Sequence, residues 1–283
     1  MHRAIGYLSK RFVQVRPGEG RRVVLTFLYF FLIITAYYLI KPVSRSLVLG
    51  ELGSRLVPYV DLVCAVLMGP VVTLFARLVD RVPKSALVSG SFGGVSALLL
   101  GFWKLLALPV PWVAGAFYIW VAIFSVLVVT LFWLVANDLY RPREAKRLFG
   151  FIGSGGILGG IVGSAVAAAG AKAIGTQTLL LLSAGILVVC WLVVERLWRY
   201  APGMGRVESR TDRPHDPFLV NARGITRLLL RSRYLLLLAL LVGIAKIVST
   251  LVYYQFNPFI VEMFPDQDTK TAFLGVFFGW MNC

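Results

Sequence analysis

Cysteine, histidine and acidic residues are scarce in this 283-residue chain. It has three cysteines, two histidines, and 13 Asp and Glu against 29 Lys and Arg. The cysteines form no CxxC pair and neither histidine belongs to an HExxH motif, so the sequence indicates neither a disulfide framework nor a metal site. No nucleophile–base pair or pair of carboxylates occurs at a workable spacing. We therefore expect a protein that is not an enzyme and needs no cofactor.

Long apolar runs dominate what is present. Apolar residues make up 58% of the chain and charged residues only 15%, a balance typical of a polytopic membrane protein. The net charge of +16 lies in the segments between apolar runs rather than on one face of a folded module, which argues against a nucleic-acid partner. By the positive-inside rule, the basic segments indicate an inner-membrane protein with a cytoplasmic N-terminus and a lipid bilayer around it.

The apolar runs predict an all-α fold in four parts. A basic cytoplasmic tail (1–22) precedes a bundle of six transmembrane helices (23–198), and a basic cytoplasmic linker (199–233) follows the bundle. The last part (234–283) holds a seventh helix and an eighth apolar run that is too short to span a bilayer. The sequence thus predicts one six-helix bundle and the start of a second, and the chain looks truncated.

The first helix carries the strongest candidates for a binding site. Lys41 and Arg45 are four residues apart, so they share one helix face and are placed to bind an anionic group such as a phosphate. Asp61, at the start of the second helix, is a possible partner for either cation. The alternative is that both side chains snorkel to the nearby interface, and the sequence leaves the two interpretations open.

A related pattern returns in the seventh helix. The spacing Tyr-Tyr-x-x-x-Pro occurs at 37–42 and again at 253–258, with Asn257 where the first copy has Lys41. This repeat suggests two related halves of a transporter. The candidate residues for stacking on a planar ring are Tyr37, Tyr38, Tyr253 and Tyr254, although aromatic belts at the membrane interface are the commoner use of tyrosine.

Lys246 lies near the middle of the seventh helix, too deep to snorkel easily. An intramembrane lysine is a functional-site hypothesis by default, and we expect it to face a cavity. The alternative is a structural ion pair, or a lysine that burial keeps neutral.

Residues 77–84 read RLVDRVPK and resemble the loop between the second and third helices of the major facilitator superfamily. Asp80, Arg81 and Lys84 match the family pattern, whereas two of its glycines are replaced. In that family these positions form a charge network that latches the cytoplasmic side. The resemblance implies a gating role for the three residues, and a solvated turn with positive-inside charges is the alternative.

The stretch 137–163 reads NDLYRPREAKRLFGFIGSGGILGGIVG and is the most distinctive in the chain. It contains no GxxxxGK[ST] motif, so it does not predict a phosphate-binding loop. Its glycines instead recur at small-xxx-small spacings, which let helix backbones approach closely. The predicted packing positions are Gly153, Gly156, Gly159, Gly160 and Gly163.

With the first helix, this stretch resembles bacterial relatives of the ATP/ADP translocases, which share the major facilitator fold. The resemblance is clearest at Asn137, Asp138 and residues 144–150. Asp138, like Asp80, lies beside arginines in a loop, which indicates latching, and Asn137 is a gating candidate with it. The resemblance also implies a secondary transporter that moves a small anionic solute by alternating access, with a nucleotide as the candidate solute. The alternatives are a non-transporting membrane anchor or sensor, and a truncated remnant of a transporter; a membrane-embedded enzyme has little support.

Overall fold

The computed structural model describes residues 19–108, 110–199 and 232–282. Every regular element in these ranges is an α-helix. The helices are α1 (Gly20–Glu51), α2 (Val57–Arg81), α3 (Lys84–Leu105), α4 (Pro111–Leu139), α5 (Pro142–Ile174), α6 (Thr178–Trp198), α7 (Arg233–Met263) and α8 (Gln267–Trp280). Seven of them, α1 to α7, are long and apolar enough to cross a membrane. The prediction of an all-helical polytopic membrane protein is confirmed, whereas most of the predicted tail (1–22) and linker (199–233) lies outside the described residues.

Helix α1 lies at the centre of the bundle. It contacts α4, α5, α6 and α8, and its buried residues occur on every face, from Ile33 through Leu39 to Val43. A helix that is apolar all round is typical of a buried core position. Side chains near the end of α1 therefore face other helices.

Glycines allow α5 to approach the backbone of α1. A Cβ atom at Gly159 would lie only 2.5 Å from the carbonyl oxygen of Phe31, and one at Gly163 would lie 2.6 Å from that of Thr35. The Thr35 hydroxyl also lies 3.3 Å from the Gly159 carbonyl oxygen, which accepts its hydrogen bond. This is the close helix packing that the sequence predicts, except that Gly155 contacts α1 and Gly153 faces open space.

Small residues also join α8 to α5, at positions of α5 other than those that contact α1. A Cβ atom at Gly275 would lie 2.8 Å from the backbone nitrogen of Ala168, and one at Gly279 would lie 3.4 Å from Ser164 Cβ. Consequently α8 packs along α5 and α1, in one compact unit with α1 to α6. The sequence grouped α8 with α7; in the structure, α7 belongs to a second unit.

Ion pairs tie together the end of the bundle at which α1 begins, which we call the basic end. Arg22 Nη2 lies 3.0 Å from Glu144 Oε2, and Arg147 Nη2 lies 2.6 Å from Glu19 Oε2. Both pairs join the start of α1 to the start of α5. Lys84, at the start of α3, pairs with Asp138, near the end of α4.

Candidate functional site

Lys41 lies in a cluster of aromatic rings inside the bundle. Its Nζ is 4.3 Å from the ring centroid of Phe278, 4.8 Å from that of Tyr38 and 5.7 Å from that of Tyr37. Ring faces attract an ammonium electrostatically, so the cluster offsets part of the cost of placing the charge of Lys41 among apolar helices. Among the described residues, no carboxylate pairs with Lys41. The ammonium is therefore able to take an anion as a partner.

Arg45 is held by a chain of hydrogen bonds. It is only 4% exposed, and its Nη1 donates to the hydroxyl of Tyr118 on α4 at 2.8 Å. That hydroxyl in turn donates to Asp61 Oδ1 on α2, also at 2.8 Å. The sequence offered both Lys41 and Arg45 as partners for Asp61. These two hydrogen bonds connect Asp61 to Arg45, through the hydroxyl of Tyr118. Arg45 is thus buried by protein, in an environment different from that of Lys41.

Tyr37 and Tyr38 belong to the aromatic cluster around Lys41. Their rings meet edge to face at 5.2 Å, and the Tyr37 ring lies 6.4 Å from that of Phe124 on α4. The Cβ atom of Tyr38 packs next to Gly163 of α5. The two tyrosines are only partly exposed. Their proposed role in stacking on a ligand ring remains a prediction.

Three predicted binding residues lie on α7, in the second unit. Lys246 falls near the middle of this helix, and Tyr253 and Asn257 follow two and three turns later. The ring of Tyr253 lies 5.5 Å from that of Tyr254. Whether these residues act together with Lys41 remains a prediction.

The structure brings together two of the predicted gating residues. Lys84 Nζ lies 2.7 Å from Asp138 Oδ1 and 2.5 Å from Oδ2, which joins α3 to α4 at the basic end. Asp80 and Arg81, in the last turn of α2, are exposed, as is Asn137. The Lys84–Asp138 pair thus joins α3 to α4, whereas the gating roles of all five predicted residues remain predictions.

Sequence reasoning missed a second set of contacts at the basic end. The Arg22 guanidinium lies 4.6 Å above the ring of Tyr140, whose hydroxyl donates to Thr26 Oγ1 at 3.0 Å. Glu144 accepts from Arg22 and from the backbone N–H of Arg141, which caps the start of α5. The acidic residue in the first turn of α5 was visible in the sequence, but its partner on α1 was not, because the positive-inside rule already accounted for the arginines of the N-terminal tail.

The opposite end of the bundle, where α1 ends, contains a cavity of about 410 Å³ lined in part by Glu51, Thr176 and Asp268. Asp268 Oδ1 accepts from the backbone N–H of Thr176 at 2.8 Å and from its hydroxyl at 2.6 Å. The hydroxyls of Ser46 and Thr271 lie 2.5 Å apart. These contacts hold the start of α8 against α1 and the turn between α5 and α6.

The start of α8 is also capped from within. The carboxylate of Asp266 accepts from the backbone N–H of Thr269 at 2.9 Å and from its hydroxyl at 2.6 Å. These hydrogen bonds lower the pKa of Asp266 because they favour the charged form.

The described part of the chain contains no group of His, Cys, Asp and Glu residues that could hold a metal ion.

Together, the fold and the site define a polytopic membrane protein in which the ammonium of a lysine, Lys41, lies among aromatic rings of its helix bundle. Residues 92–283 match the family described as TLC ATP/ADP transporter, and this is more than half of the chain. The chain therefore belongs to the TLC ATP/ADP transporter family.

Two curated relatives have the same name, ADP,ATP carrier protein 1. One is from Chlamydia muridarum (strain MoPn / Nigg) and the other from Chlamydia trachomatis serovar D, and this chain is 24% identical to each. Each alignment covers 94% of this chain and 59% of the relative, so the chain spans somewhat more than half the length of these carriers. No solved structure gives a significant match.

Proposed function

We propose that the protein takes part in secondary transport of a nucleotide across the inner membrane, by alternating access in a fold related to the major facilitator superfamily. The observation that carries this proposal is the position of Lys41, whose ammonium lies among three rings with no carboxylate partner in the described part of the chain. Membership of the TLC ATP/ADP transporter family and the names of the chlamydial relatives support the same function.

A phosphate group fits the chemistry of this site. A cation inside a helix bundle is costly unless it has a partner or reaches a water-filled cavity, and a charge-assisted hydrogen bond to phosphate supplies that partner. Arg45, one helical turn from Lys41, adds positive potential, although Tyr118 and Asp61 hold its side chain. Lys41 is the residue that contacts the phosphate directly in this proposal.

The remaining predicted residues have places in the same mechanism. Lys246, Tyr253 and Asn257 on α7 are proposed as further substrate-binding residues, on the basis of the sequence repeat and of the position of Lys246 near the middle of its helix. In this proposal the Lys84–Asp138 ion pair keeps the basic end closed in one state, and Asp80, Arg81 and Asn137, which are close to it in sequence, contribute to the same closure. The positive-inside rule places this end in the cytoplasm.

Equilibrium binding of ATP to the purified 283-residue chain in lipid nanodiscs tests the proposal. We expect Lys41→Gln to weaken ATP binding by about tenfold or more, because it removes a charged hydrogen-bond donor from a site of low polarity. Lys104→Gln is the matched control, since Lys104 lies in the last turn of α3 and is exposed. If the wild-type chain binds no nucleotide, or if both variants bind as it does, the proposal is wrong.

A further inference from the structure

The ring closest to Lys41 comes from a different helix and was not among the predicted site residues. Phe278 lies in the last turn of α8, and its centroid is 4.3 Å from Lys41 Nζ. Both side chains are partly exposed. The ammonium therefore occupies the space next to one face of the Phe278 ring.

The last turn of α8 is fixed in place, which holds this ring next to Lys41. The carboxamide of Asn282 donates through Nδ2 to the carbonyl oxygen of Phe278 at 2.6 Å. The same carboxamide packs against Gly160 of α5, where a Cβ atom would lie 3.2 Å from Asn282 Cγ. A ring held by its backbone in this way is suited to selecting a ligand by shape.

Binding of a phosphate changes the partner of Lys41. A charge-assisted hydrogen bond to phosphate is stronger than attraction to a ring face, so the ammonium turns from Phe278 toward the anion. The ring face that it leaves is flat and apolar, and a nucleobase covers such a face by stacking. A nucleotide is a ligand that carries both an anion for Lys41 and a planar group for the ring.

We propose that Phe278 is a specificity-determining residue that stacks on the base of the nucleotide whose phosphate binds Lys41. This inference rests on the proposed function and adds to it a means of selection. Lys41 alone recognises any phosphate, whereas Phe278 favours phosphates that carry a base. The site thereby distinguishes a nucleoside triphosphate from inorganic polyphosphate of similar charge.

The test compares ATP with tripolyphosphate, which has the phosphate chain but no base. Binding of each is measured by titration calorimetry on the 283-residue chain in nanodiscs, for the wild type, Phe278→Leu and Phe278→Tyr. Phe273→Leu is the matched control, because Phe273 is also on α8 but stacks on Phe264 at 4.5 Å. Thermal unfolding of each variant checks that the fold is retained.

We expect Phe278→Leu to weaken ATP binding by about tenfold and tripolyphosphate binding by less than twofold, as loss of one stacked base predicts. Phe278→Tyr, which keeps an aromatic ring, should retain the preference for ATP over tripolyphosphate, and Phe273→Leu should bind both ligands as the wild type does. Equal weakening of both ligands, or no change in either, would overturn the inference while leaving nucleotide binding at Lys41 intact. If the wild type binds neither ligand, the proposed function and this inference are both wrong.

Discussion

The guanidinium of Arg45 donates a 2.8 Å hydrogen bond to the hydroxyl of Tyr118. The Tyr118 hydroxyl in turn donates a hydrogen bond to Asp61. The buried arginine therefore connects α1 to α4 directly and to α2 through Tyr118. Lys41, one helical turn away, is surrounded by rings instead. The two cations that the sequence placed on one helix face thus have different partners, and the structure suggests different roles.

Separate substitutions of Arg45 and Lys41 distinguish a role in protein stability from a role in ATP binding. Arg45→Gln leaves the Tyr118–Asp61 pair without its cation, and we expect a loss of about 1–3 kcal/mol in stability. Lys41→Gln should leave stability nearly unchanged and have the larger effect on ATP affinity. Thermal unfolding in detergent and ATP titration in nanodiscs measure the two quantities. A stable Arg45→Gln protein that has lost ATP binding altogether would show that Arg45 contacts the ligand directly.

Close packing of α1 on α5 gives a second prediction. Gly159→Ala places a methyl group 2.5 Å from the carbonyl oxygen of Phe31, which belongs to the backbone and cannot move away easily. We expect overpacking to lower the free energy of unfolding by about 1–3 kcal/mol. This loss of stability is measured as a lower unfolding temperature.

Gly153→Ala is the matched control in the same helix. A Cβ atom there meets nothing within 4 Å, so the substitution should be neutral or slightly stabilising through helix propensity. Equal unfolding temperatures for the two variants would contradict the close approach of α1 and α5.

The comparison of these glycines also shows what the sequence could predict. Helix number and type follow from the length and polarity of the apolar runs, and the four-residue spacing of glycines indicates a packing face. Gly155 contacts α1 and Gly153 does not, because of the position of α1 in the bundle. The spacing of residues within α5 carries no information about that position. Phe278 was missed for the same reason: one of 19 phenylalanines becomes part of the site only because α8 packs next to α1.

The ion pair at the basic end gives a third prediction. The side chains of Lys84 and Asp138 are 38% and 25% exposed, so the pair is worth less than about 1 kcal/mol in stability. If it closes the basic end, and if the chain transports nucleotide as proposed, the charge reversals Lys84→Asp and Asp138→Lys should each change the rate of nucleotide uptake into proteoliposomes. The double reversal should restore much of the wild-type rate, because it re-forms the pair with opposite polarity. A double variant no better than the single ones would argue against a latch.

The position of α8 gives the last prediction, because the proposed role of Phe278 requires α8 to lie beside α1. The hydroxyls of Ser46 and Thr271 lie 2.5 Å apart, so cysteines at these positions are close enough for a disulfide. In a background with Cys64, Cys190 and Cys283 replaced by serine, we expect a mild oxidant to link Ser46→Cys to Thr271→Cys. Mass mapping of unreduced peptides detects this link.

The control pair combines Ser46→Cys with Thr269→Cys. The Thr269 hydroxyl lies 2.6 Å from Asp266, within the capping turn of α8, so this pair should react slowly. Fast linkage of both pairs would mean that the start of α8 moves freely near α1. No linkage of the Ser46–Thr271 pair would contradict the packing of α8 on α1 and, with it, the contact between Phe278 and Lys41.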